Sequence, residues 1–181
     1  MNGQVIILNG VSSSGKTTLA KAIQKYASDI WLHVAMDTFV AMLPDGCEFD
    51  REWFPVTQVS YEGDDLPRIS NGPSGDSLLG QMRQLVQQMA ESGFNVIVDE
   101  VAESAEIDDY RRRLGSSCMV VKVDAPLPEL QRRERERGDR LLGLAREQSS
   151  RLHEGIAYDL TVDTHAETPD ALAREVLGNI S

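Results

Sequence analysis

Gly10-Val11-Ser12-Ser13-Ser14-Gly15-Lys16-Thr17 fits G-x-x-x-x-G-K-[ST], the spacing of a phosphate-binding loop. The residue types dictate the chemistry. Glycines let the chain turn several backbone N–H groups inward around phosphate oxygens. A helix that starts at the end of the loop aims its positive pole at the same point. Lys16 then reaches the β- and γ-phosphates of ATP and the Thr17 hydroxyl takes Mg²⁺, with Gly10, Val11, Ser12, Ser13, Ser14, Gly15 and Thr18 completing the expected cradle.

Two acids stand where phosphoryl transfer needs them. Asp99 ends the apolar run Asn95-Val96-Ile97-Val98 and is the expected metal-side acid, acting directly or through water; Glu100 is a weaker candidate for that place. Asp37 follows Trp31-Leu32-His33-Val34-Ala35. On position alone it reads equally as the base that takes an acceptor hydroxyl's proton and as a helix N-cap. Arg132, Arg133, Arg135, Arg137 and Arg140 crowd nine residues. Arg133, Arg137 and Arg140 recur at i, i+4 and i+7, so a continuous helix sets them on one face. Gly138-Asp139 then reads as the break in a short lid over about 130–143 that brings arginines onto phosphates. The alternative is a solvated face, with Glu129, Glu134 and Glu136 pairing the arginines. His153 and His165 have no metal-ligand spacing and read as structural or surface residues, and Val162–His165 falls near where an adenine would rest.

The elements that position these residues alternate. Val5–Asn9 is a strand, the loop follows, and a helix runs over about 16–28. A strand at 31–35 leads to a short helix at 39–43 that stops at Pro44. Residues 44–76, with four prolines and Trp53, Phe54 and Tyr61, read as an irregular insertion covering the acceptor site. Leu78, Leu79, Met82, Leu85, Val86, Met89 and Ala90 make a helical stripe closed by Gly93. Strands are expected at 95–98, 119–123 and 160–162, and helices at 104–114, 127–137, 141–152 and from Pro169 to the end. Alternating strands and helices imply an α/β open parallel sheet, with ligands beyond the carboxyl ends of its strands. Gly10–Thr17, Asp37 and Asp99 each follow a strand, so that rim gathers them.

At 181 residues the chain reads as one domain, 1–181. A net charge of −11 argues against a broad nucleic-acid or membrane surface. Two distant cysteines, Cys47 and Cys118, suit a reduced, cytoplasmic setting, and no apolar stretch approaches a membrane span. A GTPase switch calls for D-x-x-G, which does not occur. A homo-oligomer is one open reading, and the sequence does not set the oligomeric state.

These residues resemble the chloramphenicol phosphotransferase family of small P-loop kinases. The likeness is carried by Ile6–Gly10 with Ser12–Lys16, by Asp37, and by Val96–Val101. More specific are Arg137-Gly138-Asp139-Arg140, His153-Glu154-Gly155 with Tyr158-Asp159, and Val162-Asp163-Thr164. It spans about 4–44 and 76–165. The resemblance implies a P-loop kinase fold, like nucleoside-monophosphate and shikimate kinases, with a five-stranded parallel sheet in order 2-3-1-4-5 and helices on both faces. It implies transfer of the ATP γ-phosphate to a small-molecule hydroxyl, a primary hydroxyl of chloramphenicol in the antibiotic-resistance case. It makes Asp37 the base and sets Lys16, Arg133 and Arg137 on phosphates, with Arg140 beside them. Thr17 departs from the serine expected in the antibiotic kinase, and 44–76 does not align, so the kinase reading carries over more firmly than the chloramphenicol one. A nucleotide or nucleotide-sugar acceptor, and a non-catalytic nucleotide-binding regulatory module, are the other readings.

Overall fold

The structure is a computed structural model that describes residues 2–138 and 140–180. Its first strand, β1 (Val5–Asn9), is buried at every position, as an uninterrupted apolar run in a sheet covered on both faces should be. The loop leads into α1 (Lys16–Tyr26), and β2 (Trp31–Ala35) runs straight into α2 (Met36–Val40). β3 (Val56–Tyr61) and β4 (Asp64–Ile69) form an antiparallel hairpin. Then come α3 (Pro73–Glu91), β5 (Asn95–Glu100) and α4 (Ser104–Leu114). A short 3₁₀ turn leads to β6 (Cys118–Asp124), α5 (Leu127–Arg137) and α6 (Leu144–Ser149), and β7 (Leu160–Asp163) and α7 (Pro169–Gly178) finish the chain.

The main sheet is β2-β5-β1-β6-β7, and every pairing is parallel. Counted by its own five strands this is the expected order 2-3-1-4-5. Alternation along β1 sends Val5 and Ile7 into a layer with Leu79, Met82 and Val86 of α3 and Ile107 and Tyr110 of α4. Ile6 and Leu8 enter the opposite layer with Leu19 and Ile23 of α1 and Leu172 and Val176 of α7. The register sets Leu8 and Ala35 beside Asp99, and Asn9 beside Glu100 and Lys122, so the carboxyl ends of β1, β2 and β5 lie level. β1 sits where the winding reverses, which is where an open parallel sheet offers its binding crevice.

Several expected elements differ. Residues 56–69 of the insertion are not irregular but a hairpin, closed by Glu62 (φ 53°) and Gly63 (φ 87°). Half of its strand residues are exposed and Pro67 sits inside β4, so no period-two apolar pattern marks it. Pro73 is not loop but the first residue of α3, a position that needs no N–H. The short helix lies at 36–40 rather than 39–43, and that expected over 141–152 is helical only at 144–149. α5 ends at Gly138, whose φ of 69° is left-handed, so Arg140 is not on a continuing helix. Asp139, the other half of the expected break, lies outside the described residues. Among the described residues no helix is long and apolar enough to cross a membrane.

Candidate active site

The loop wraps tightly. A side chain on Gly10 would place its Cβ 2.2 Å from the Val123 carbonyl oxygen, so only glycine lets β6 lie against the loop's root. Ser13 (φ 64°) and Gly15 (φ 96°) take left-handed conformations that turn the chain around its own N–H groups. Gly10→Ala is therefore expected to destabilise the fold by about 1–3 kcal/mol, the usual cost of overpacking, read as a fall of several degrees in melting temperature. The Lys16 ammonium is folded into the loop, donating to the carbonyls of Gly10 (2.7 Å) and Val11 (3.0 Å). The hydroxyl oxygens of Ser12, Ser13 and Ser14 are buried with no hydrogen-bond partner among the described residues. Buried hydroxyls without partners are costly, and a triphosphate in the loop is a chemical fit for them. Ser12, Ser13, Ser14, Gly15, Lys16, Thr17 and Thr18 line one cavity of about 860 Å³. Gly10 and Val11 stand behind it, supplying the carbonyls that hold Lys16, with the Val11 side chain in a small apolar cluster.

Across the loop, the Thr17 hydroxyl donates to Asp99 Oδ2 at 2.6 Å. Burial works against the Asp99 charge, but His33, Lys16 and the Thr17 hydroxyl outweigh it, so its pKa falls below the usual aspartate value. Among the described residues no cluster of three His, Cys, Asp or Glu side chains can hold a metal unaided. A hydroxyl beside one carboxylate instead suits Mg²⁺ that arrives on a triphosphate and keeps several waters. Glu100 also lines the cavity, but its two oxygens already accept from Arg83 (2.9 Å) and Tyr110 (2.6 Å), and burial foremost raises its pKa.

Asp37 lies in the first turn of α2 and caps nothing, because Ala35 holds the N-cap position. Its carboxylate lines the same cavity as Lys16 and pairs with Arg140. Burial, the largest influence, lowers the Lys16 pKa; Asp99 and Asp37 oppose that shift, while Arg140 and Arg137 add to it. Those five side chains thus share one electrostatic neighbourhood. Arg133 and Arg137 line the cavity too. Arg133 donates to the Thr164 hydroxyl and carbonyl (both 2.9 Å), joining the turn after β7 to the loop. Arg132 instead pairs with Glu129 and Glu136 on the outside, as the solvated-face reading has it.

Other residues were invisible as site-builders in the sequence. Glu134, in the middle of the Arg/Glu run, is buried and accepts from the N–H groups of Gly143 (2.7 Å) and Ala145 (2.9 Å), which ties α6 to α5. On α6, Gln148 Oε1 accepts the Ser12 N–H at 2.7 Å, while buried Glu147 pairs with Arg68 of the hairpin and with Arg151 (2.8 Å). Arg151 also pairs with Glu103. Asn9 brackets both backbone groups of Ala102 and donates to the Tyr158 hydroxyl (3.0 Å), which lies 2.6 Å from His153 Nδ1. Burial first, then the charges of Lys122 and Lys16, push the His153 pKa down to about 4, so the ring is uncharged near neutral pH. His153 thus sits in a hydrogen-bonded chain with Tyr158 and Asn9.

Comparison with known proteins agrees with this geometry. The family model described as chloramphenicol phosphotransferase-like protein matches residues 3–181. A Mycobacterium tuberculosis protein carrying the description "Putative O-phosphotransferase" is 34% identical over 181 residues, 96% of this chain and 80% of its own length. Among solved structures, an unliganded sugar kinase from Janibacter sp. aligns with a TM-score of 0.70 at 19% identity, covering 99% of this chain and 96% of its own. The M. tuberculosis APS kinase CysC, solved with AMPPNP and APS, aligns with a TM-score of 0.65 at 17% identity, covering 98% and 97%. A matched family model, a relative aligned over most of both chains and a phosphate-binding loop at the switch point of a sheet with the fold of P-loop kinases lead to one placement: the chain belongs to the chloramphenicol phosphotransferase-like family.

Proposed function

We propose that the protein transfers the γ-phosphate of ATP to a hydroxyl of a neutral small molecule. The observation that carries this is the single cavity shared by the Lys16 cradle, the Thr17–Asp99 pair and the Asp37 carboxylate. At about 860 Å³ it has room for a nucleotide and a small acceptor. The acceptor side is not a cationic wall, since Arg68 and Arg151 are neutralised by Glu147 and Glu103. That favours an uncharged alcohol over a nucleotide.

In this reading Asp37 takes the proton as the acceptor oxygen bonds to the γ-phosphorus, and the bond from that phosphorus to the β–γ bridging oxygen breaks to leave ADP. Lys16 and the loop N–H groups bear on the β- and γ-phosphates. Arg137 and Arg140 stand ready to neutralise charge on the transferred group, and Arg133 fixes the nucleotide side through Thr164. Thr17 and Asp99 would hold Mg²⁺, which when bound offsets phosphate charge and orients the γ-phosphoryl group.

The test is incubation with γ-labelled ATP and a panel of hydroxyl compounds including chloramphenicol, free sugars, nucleosides and nucleotides. Label on an uncharged alcohol, with matching ADP, is expected. Label on a nucleotide or nucleotide-sugar would move the acceptor class. Tight ATP binding with no transfer to any compound would leave a regulatory nucleotide module.

A further inference from the structure

We propose that His33 is a positioning residue for Asp99: its Nε2–H donates to Asp99 Oδ2 and locks that carboxylate against Thr17. The inference rests on the reading of the loop as a site for ATP with a divalent cation. Strand alternation puts His33 on the face of β2 that carries Trp31, the face packed under α1 and α7 with Ile97, Ile6 and Leu8. In that row an apolar residue is the simple choice. His33 pairs with Ile97 and Ala35 pairs with Asp99, so His33 is one diagonal step from the acid.

The imidazole is largely buried, with 17% of its side chain exposed. Its Nε2 has no hydrogen-bond partner among the described residues and lies 3.7 Å from Asp99 Oδ2. A buried polar atom of this kind calls for a reason. Thr17 donates to the same oxygen, which has a second lone pair to offer a donor. A movement of less than about 1 Å brings the pair within the usual N–H···O range. Fixed from two sides, Asp99 holds the Thr17 O–H in its hydrogen bond, which would leave the hydroxyl lone pairs free to take the metal. Partners that orient metal-site groups in this way are worth about 10–100-fold in metal affinity or activity.

The test uses Mn²⁺ as the probe, followed by electron paramagnetic resonance on the full chain with AMPPNP. His33→Leu is expected to weaken Mn²⁺ binding to the nucleotide complex about 10–100-fold while leaving AMPPNP binding in EDTA unchanged. His33→Gln, which keeps a side-chain N–H donor, should recover most of the loss. In an Asp99→Asn background, His33→Leu should add nothing. In the wild-type chain, ¹⁵N spectra of the imidazole should place a proton on Nε2, a readout that needs no variant. Unchanged Mn²⁺ affinity in His33→Leu, a full additional loss on Asp99→Asn, or a proton on Nδ1 alone would overturn the proposal. Failure of the ATP reading looks different: the wild-type chain would then bind AMPPNP no better with Mn²⁺ than without it, and the assignment of His33 would fall with that reading.

Discussion

Lys16→Ala is expected to lower kcat by at least ~10²-fold, the cost of losing one preorganised donor at the site of developing charge. Lys16 is buried, 8% exposed as a residue, and its ammonium is held by two loop carbonyls at 2.7 and 3.0 Å. It therefore needs little reorganisation when the γ-phosphate gains charge. Burial lowers its pKa, but Asp99 and Asp37 oppose that shift, and phosphate oxygens add to their side when ATP binds. Alanine removes the charge and leaves the carbonyls of Gly10 and Val11 without the cation they hold. Loss is thus expected in kcat as well as in ATP affinity, measured by initial rates at saturating acceptor. Lys16→Met, which keeps the packing, should behave like alanine, while Lys16→Arg keeps the charge at a different reach and should fall between. Normal turnover by the alanine variant would overturn the role.

What the sequence made legible was local and periodic. The path from Val5 through the loop to Tyr26 could be read because a continuous apolar strand, a spaced motif and a helical stripe follow one another without a gap. The strand order was a different matter: alternation implied a parallel sheet, but the order itself came with the family resemblance. The hairpin at 56–69 stayed hidden because it buries little of its own, and Leu66 and Pro67 become covered only where it meets α6. Long-range polar partners have no local signature at all. Ser12 and Gln148 are 136 residues apart, and Arg68 and Glu147 are 79 apart. Glu134 misled in the other direction, since a carboxylate in an Arg/Glu run looks solvated until the α5–α6 turn folds over it. The three arginines reach one cavity, but through a left-handed turn at Gly138 and not through the continuous helical face that their spacing suggested.

Asp37→Asn is expected to reduce phosphoryl transfer ~10²–10⁴-fold, the range for losing a positioned general base, while sparing nucleotide binding. The structure narrows what Asp37 can be doing. It caps no helix, its side chain is 64% exposed, and it pairs with Arg140. An exposed ion pair contributes only about 0–1 kcal/mol, so Asn should leave the melting temperature nearly unchanged. The same pair raises a rival explanation, that Asp37 serves only to hold Arg140 in place. The two separate in kinetics. If Asp37 takes the proton, Asp37→Asn loses far more kcat than Arg140→Ala, and Asp37→Glu recovers part of it because a carboxylate returns to the cavity. If Asp37 merely steers the guanidinium, the two variants lose equally and the double variant loses no more than either. AMPPNP affinity is the control: it should hold or rise in Asp37→Asn, since one negative charge leaves the neighbourhood of the triphosphate. A variant that transfers phosphate at the wild-type rate would remove Asp37 from the reaction and leave the cradle without an identified base.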